Sequence, residues 1–203
     1  MCGICGIINF NKEKINKEKI SSMVNMMKHR GPNDDGIYQF NNFALGSTRL
    51  SILDLSNDGH MPMFSNDKRY VIVYNGEIYN HIELRNELSS FYKFKSKSDT
   101  EVVLAAYQKW GQGCLEKFNG MFSFVIYDHR TKRFFAARDR YGIKPFYYYY
   151  DSSIFIFSSE IYPIIESFNY LKEHNNQSIY NYLIFNKTNQ TSDTFFKNIK
   201  KLQ

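Results

Sequence analysis

Cys2 is the residue with the most chemistry in this sequence. If Met1 is removed, Cys2 becomes the amino terminus, and one residue then carries a thiol nucleophile beside a free α-amine. An α-amine has a reference pKa of about 7.7–8.0, so near neutrality part of it is unprotonated and can take the thiol proton. A thiolate needs less help to form than a serine alkoxide does. Attack on an amide carbonyl would also need donors for the developing oxyanion. A side-chain amide followed by a glycine N–H, as in Asn75-Gly76, is a suitable pair. Selecting a free amino acid needs a cation for its α-carboxylate and an anion for its α-ammonium. Arg49 could grip the first through two parallel N–H bonds, and Asp99 and Glu77 are candidates for the second. Each residue also has a plainer reading: Cys2 as a small apolar residue leading into a strand, Asn75-Gly76 as a hairpin turn, the charges as caps or surface groups. Only a fold can bring such distant positions together.

The elements that would position them follow from periodicity. Ile4 to Phe10 is an apolar run suited to a buried strand directly behind Cys2. Ile20, Met23, Val24 and Met27 recur at helical spacing, with Asn16 as N-cap and Gly31-Pro32 as the stop. Strand-like pieces are predicted at 37–40, 43–48, 50–53 and Tyr70–Tyr74, the last running into Asn75-Gly76. A helix is predicted to start near Asn80 and run along Leu84, Leu88 and Phe91. Ser98-Asp99-Thr100-Glu101 reads as a capping box opening a second helix that ends at Gly111, with Asp99 in its first turn. From Met121 the chain is strand-rich, at 122–127, 133–138, 145–150 and 154–157, and a last helical segment covers 177–184 before a polar tail from Asn186 to Gln203. Short strands in hairpin order, with helices grouped between them, argue for antiparallel sheets covered by helices.

Composition excludes several classes. Of 203 residues, 43 % are hydrophobic and 17 % aromatic, which is globular and not disordered. No apolar run approaches the ~18 residues of a membrane span, and the N-terminus lacks a basic region followed by an apolar one, so a cytoplasmic protein is expected. The formal charge of +6 comes from scattered lysines in a chain rich in Asn, Ile, Tyr and Phe, which fits a codon bias better than a nucleic-acid surface. Three cysteines, two of them in Cys2-x-x-Cys5, do not make a disulfide framework. A redox or zinc use of this pair is disfavoured because the motif leads straight into a strand and no further ligands stand at metal spacing.

Eight ordered blocks carry a family resemblance. They are Cys2-Gly3-Ile4-Cys5-Gly6; His29-Arg30-Gly31-Pro32 with Gly36; Arg49 to Asp54; Tyr74 to His81; Ser98 to Val102; Asn119 to Phe124; Ala137 to Pro145; and Ser158 to Ile161. The chain resembles the N-terminal glutaminase domain of class II glutamine amidotransferases, and within them most the glutamine-hydrolysing asparagine synthetases. The resemblance implies an α+β fold: a four-layer αββα N-terminal-nucleophile hydrolase sandwich with two antiparallel sheets. It implies Cys2 as nucleophile and, through its own amine, base; Asn75 and Gly76 as oxyanion hole; Arg49 on the glutamine carboxylate; Asp99 with the Glu77 segment on its ammonium; and Leu50, Ser51, Ile52 and Leu53 lining the pocket. No metal or cofactor is expected for glutamine hydrolysis.

One feature departs from complete asparagine synthetases. Their ATP-using domain carries an S-G-G-x-D-S pyrophosphate loop that this chain lacks. The expectation is a glutaminase domain over 1–185 and the start of a linker over 186–203. ATP and magnesium would belong to an absent synthetase domain or subunit that receives the ammonia. A homodimer is compatible with the resemblance, and nucleic-acid and membrane partners are not expected. If Met1 is retained, the same fold would be an inert or regulatory glutamine-binding module. A glutaminase subunit serving a different ammonia acceptor is the other alternative.

Overall fold

The structure, a computed structural model, describes residues 1–188 and 191–203. Among the described residues, ten strands form two antiparallel sheets. The first sheet has the order β10 (Lys200–Lys201), β8 (Tyr147–Tyr150), β9 (Ile154–Ser158), β1 (Gly3–Asn9), β3 (Phe43–Arg49), β2 (Asp34–Phe40). The second has the order β4 (Met63–Phe64), β5 (Tyr70–Ile78), β6 (Gly120–Asp128), β7 (Arg133–Arg138).

Side-chain alternation along the strands builds the layers, because successive residues point to opposite faces of a sheet. In β1, Ile4 and Ile8 join Phe43, Leu45 and Phe157 in a core shared with Val71, Val73 and Val125 of the second sheet. On the other face, Cys5 and Ile7 pack with Ala44 and Ile156 against helices α1 (Lys17–Met26) and α5 (Ile161–Ser167). In β5, Ile72 and Tyr74 point away from the first sheet, towards α2 (His81–Leu88) and α3 (Asp99–Trp110). Three cores thus separate four layers, and the αββα sandwich expected from the resemblance is the observed fold. Of the remaining helices, α4 (Cys114–Lys117) buries Cys114 in the same core as α3, whereas α6 (Asn176–Phe185) has no buried residue.

Several local expectations are corrected. Asn75-Gly76 is neither a turn nor the end of a strand: β5 continues through both to Ile78, with Asn75 opposite Ser123 and Gly76 opposite Phe122. A nine-residue ladder overrides the local Asn-Gly turn preference. Glycine is needed here because a Cβ would stand 2.6 Å from the Met121 carbonyl oxygen. Residues 50–53 are loop, not strand. The second helix stops at Leu88, leaving Phe91 exposed. Ser98 does cap α3, accepting from Thr100 N–H, but Glu101 does not close a capping box. Its buried carboxylate instead accepts from Lys95 N–H, Ser96 N–H and Ser96 Oγ–H, pinning the loop that leads from α2 into α3. The polar tail returns to the fold, with Ile199 fully buried under the first sheet and β10 paired to β8.

Candidate active site

Register brings the distant residues together. Gly3 pairs with Thr48, so Cys2 and Arg49 stand one step further along the same two strands, at the end of the first sheet. Cys2 continues the face of Ile4 and Ile8, Arg49 that of Phe43 and Leu45, and Asn75 that of Val71 and Val73. All three therefore emerge at one end of the space between the sheets. They line a cavity of about 160 Å³ together with Leu50, Ile52, Leu53, Gly76, Glu77, Asp99 and Lys144. Of the positions singled out in the sequence, Ser51 alone does not line it, its N–H being turned to Asn33 Oδ1 at 3.0 Å.

Arg49, the last residue of β3, buries its side chain in the bend that follows. Its Nη1 donates to the Ser56 carbonyl at 2.9 Å and its Nη2 to the Asp54 carbonyl. Gly59 closes over the guanidinium so tightly that a Cβ there would collide with it. Asp54 ties this bend together, accepting from Ser56 N–H at 2.8 Å, Ser56 Oγ–H at 2.6 Å and Lys97 N–H at 2.7 Å. Across the cavity Asp99, 5 % exposed, accepts from Tyr74 Oη–H at 2.7 Å and Ile78 N–H at 2.9 Å. Burial pushes its carboxyl above the usual aspartate range, and the two hydrogen bonds offset only part of that. Among the described residues neither Arg49 nor Asp99 enters an ion pair. A buried cation and a buried anion thus face one cavity without counter-ions, an arrangement that is costly unless a ligand supplies both.

The Asn75 side chain is 1 % exposed, and its Nδ2 donates to nothing. Buried amides almost always find partners, so an orphaned donor on a cavity wall marks a place prepared for an acceptor. Nearby, Leu50 N–H points at Cys2 Sγ from 3.4 Å. Burial raises the Cys2 thiol above its ordinary pKa, which sharpens the opening argument: here the thiolate needs a base. The amino group, now on Met1, donates to the Arg30 carbonyl at 3.0 Å and is lowered chiefly by partial burial, with further lowering from Arg30 and Lys144.

Two residues of this site were not singled out from the sequence, although both sit inside quoted blocks. Arg30 holds the Cys2 backbone, its Nε donating to the Cys2 carbonyl at 3.0 Å while Nη1 binds Glu160 at 2.9 Å. Lys144 is 5 % exposed on the cavity wall. A lysine in a strand-rich stretch ordinarily reads as surface, so nothing short of the fold exposes its burial. Cys2 and Cys5 lie on opposite faces of β1, and burial pushes the Cys5 thiol far up, so they do not form a working pair.

A family model described as glutamine amidotransferase domain matches residues 1–203. A protein of Methanocaldococcus jannaschii named putative asparagine synthetase [glutamine-hydrolyzing] 2 is 48 % identical over 183 residues, 81 % of this chain and 35 % of that protein. Asparagine synthetase B [glutamine-hydrolyzing] of Escherichia coli is 40 % identical over 152 residues, 74 % of this chain and 27 % of that protein. The chain therefore spans well under half the length of these relatives. Among solved structures, the glutamine phosphoribosylpyrophosphate amidotransferase of Bacillus subtilis superposes with a TM-score of 0.69 at 17 % identity, over 82 % of this chain and 43 % of that one, which speaks to the fold alone. With the family matched along its whole length, and relatives at these identities, this chain belongs to the glutamine amidotransferase domain family.

Proposed function

We propose that the chain hydrolyses L-glutamine to L-glutamate and ammonia, with Cys2 as nucleophile once Met1 is removed. The observation that carries this reading is the cavity beside Cys2, which presents a buried cation, a buried anion and an orphaned amide donor. Free glutamine offers a carboxylate for Arg49, an ammonium for Asp99 and Glu77, and a carboxamide between Cys2 and Asn75. The thiol proton passes to the α-amine as sulfur bonds to the carboxamide carbon. The resulting oxyanion sits against Asn75 Nδ2 and Gly76 N–H. Collapse returns the proton to the leaving nitrogen, releasing ammonia and leaving a γ-glutamyl thioester, which water then cleaves to glutamate. This scheme asks for no cofactor or metal.

The relatives named above are glutamine-hydrolysing asparagine synthetases, which supports a synthetase domain or subunit, using ATP and magnesium, as the recipient of the ammonia. No helix among the described residues is long and apolar enough to cross a membrane, and we place the reaction in the cytoplasm. The test is intact mass together with glutamate release. The expected result is a chain lighter by one methionine that yields glutamate and ammonia in equal amounts. A chain that keeps Met1, with its amine on the Arg30 carbonyl, and releases neither product would establish the inert glutamine-binding module instead.

A pH dependence follows from Asp99. Its carboxyl is raised, so it carries charge only above that raised value, and its hold on the ammonium is lost as pH falls through it. KM for glutamine is expected to climb on acidification well before an ordinary aspartate would titrate. Asp99→Asn should show a high KM that no longer depends on pH in that range, checked by initial rates across an acidic series.

A further inference from the structure

Lys144 lies in the block after β7, buried on the wall of the cavity. Asp139 fixes its backbone, accepting from Lys144 N–H at 2.9 Å. The ammonium reaches one group only, the Met1 thioether sulfur at 3.2 Å, and enters no ion pair among the described residues. A thioether is a weak acceptor and cannot offset the burial of an ammonium. When Met1 leaves, even that partner is gone, and a bare cation faces the new amino terminus.

We propose that Lys144 is a positioning residue for the nucleophile: its unpaired ammonium biases Cys2 towards the thiolate and the adjoining α-amine towards the neutral, basic form. This rests on the glutaminase reading and deepens it. Burial lowers the Lys144 ammonium while Cys2 and Glu77 act to keep it protonated, and in its charged form it favours the anion on sulfur and disfavours the cation on nitrogen, the useful direction for both. The device answers a defect of the site, because burial, with the Asp99 carboxylate adding to it, holds the Cys2 proton in place. Other charges face the same region from every packed element. Arg30 after α1 and Arg49 at the end of β3 add positive potential, while Glu77 in β5, Asp99 in α3 and Asp139 after β7 add negative potential. The carboxylates of Asp99 and Asp139 accept from N–H and O–H donors, and among the described residues none of Glu77, Asp99 and Asp139 makes an ion pair with the Lys144 ammonium.

Lys144→Met keeps length and bulk while removing charge, and Lys144→Arg keeps charge. The readouts are kcat/KM against pH and, independently of turnover, the pH dependence of Cys2 alkylation by iodoacetamide in the processed protein. The expected result is an acid limb displaced upward by about one pH unit in Lys144→Met, in both readouts, with Lys144→Arg restoring most of the wild-type position. Unshifted limbs in Lys144→Met would overturn the proposal, as would an equal shift in Lys144→Arg, which would mean that shape and not charge matters. If the wild-type chain alkylates at Cys2 but hydrolyses no glutamine, it is the glutaminase reading that fails. The alkylation profiles of the two variants then still decide the role of Lys144.

Discussion

Cys2→Ala is expected to abolish glutamate release while leaving glutamine bound. The loss should be on the scale of roughly a million-fold in kcat, as when the covalent nucleophile is taken from a set of groups that act as one unit, even though the α-amine base remains. The binding groups are elsewhere: Arg49 is held by the Ser56 and Asp54 carbonyls and Asp99 by Tyr74 and Ile78, none of which depends on sulfur. Calorimetric titration with glutamine should therefore give an affinity within a few-fold of the processed wild type, and single-turnover assays should show no thioester. Measurable steady release from the alanine variant would remove Cys2 from the mechanism.

Asn75→Ala is the second large effect and separates chemistry from binding. One missing oxyanion donor costs about 100- to 1000-fold in kcat, because the charge it meets exists only in the transition state. KM should barely move. The fold should tolerate the change, since Asn75 Nδ2 donates to nothing and its strand ladder to Ser123 is made by backbone. A drop in kcat without a drop in melting temperature is the expected signature, and a matching collapse of both would recast Asn75 as structural.

Much of this site was legible before any coordinates. Cys2, Arg49, Asn75 and Asp99 suggested themselves by functional group, because nucleophile, guanidinium, amide and carboxylate are the parts that an amino-acid amidohydrolase needs. What residue types could not supply was register. That Cys2 stands beyond the Gly3–Thr48 pair, across from Arg49, follows from how β1 and β3 align, and no local pattern encodes that alignment. The Asn75-Gly76 turn signal failed for a related reason: short-range preference was weighed without the long partner strand β6, which holds both residues extended. Glu101 was assigned to a capping box by spacing, yet three donors from Lys95 and Ser96 outbid the helix terminus for its carboxylate. Lys144 and Arg30 escaped notice because their interest lies in burial, which a polar residue type conceals.

The sulfur is carried by the first sheet and the carboxamide donor by the second, with no covalent segment linking the two at that point. Their alignment is set by how Ile4 and Leu45 mesh with Val73 and Val125. A substitution in that seam which let one sheet slide by a fraction of a residue would leave both sheets intact and the protein soluble, yet part the attacking atom from its electrostatic support. Catalytic competence in this architecture is thus a gauge of interlayer slip, lost well before the chain lets go of its shape.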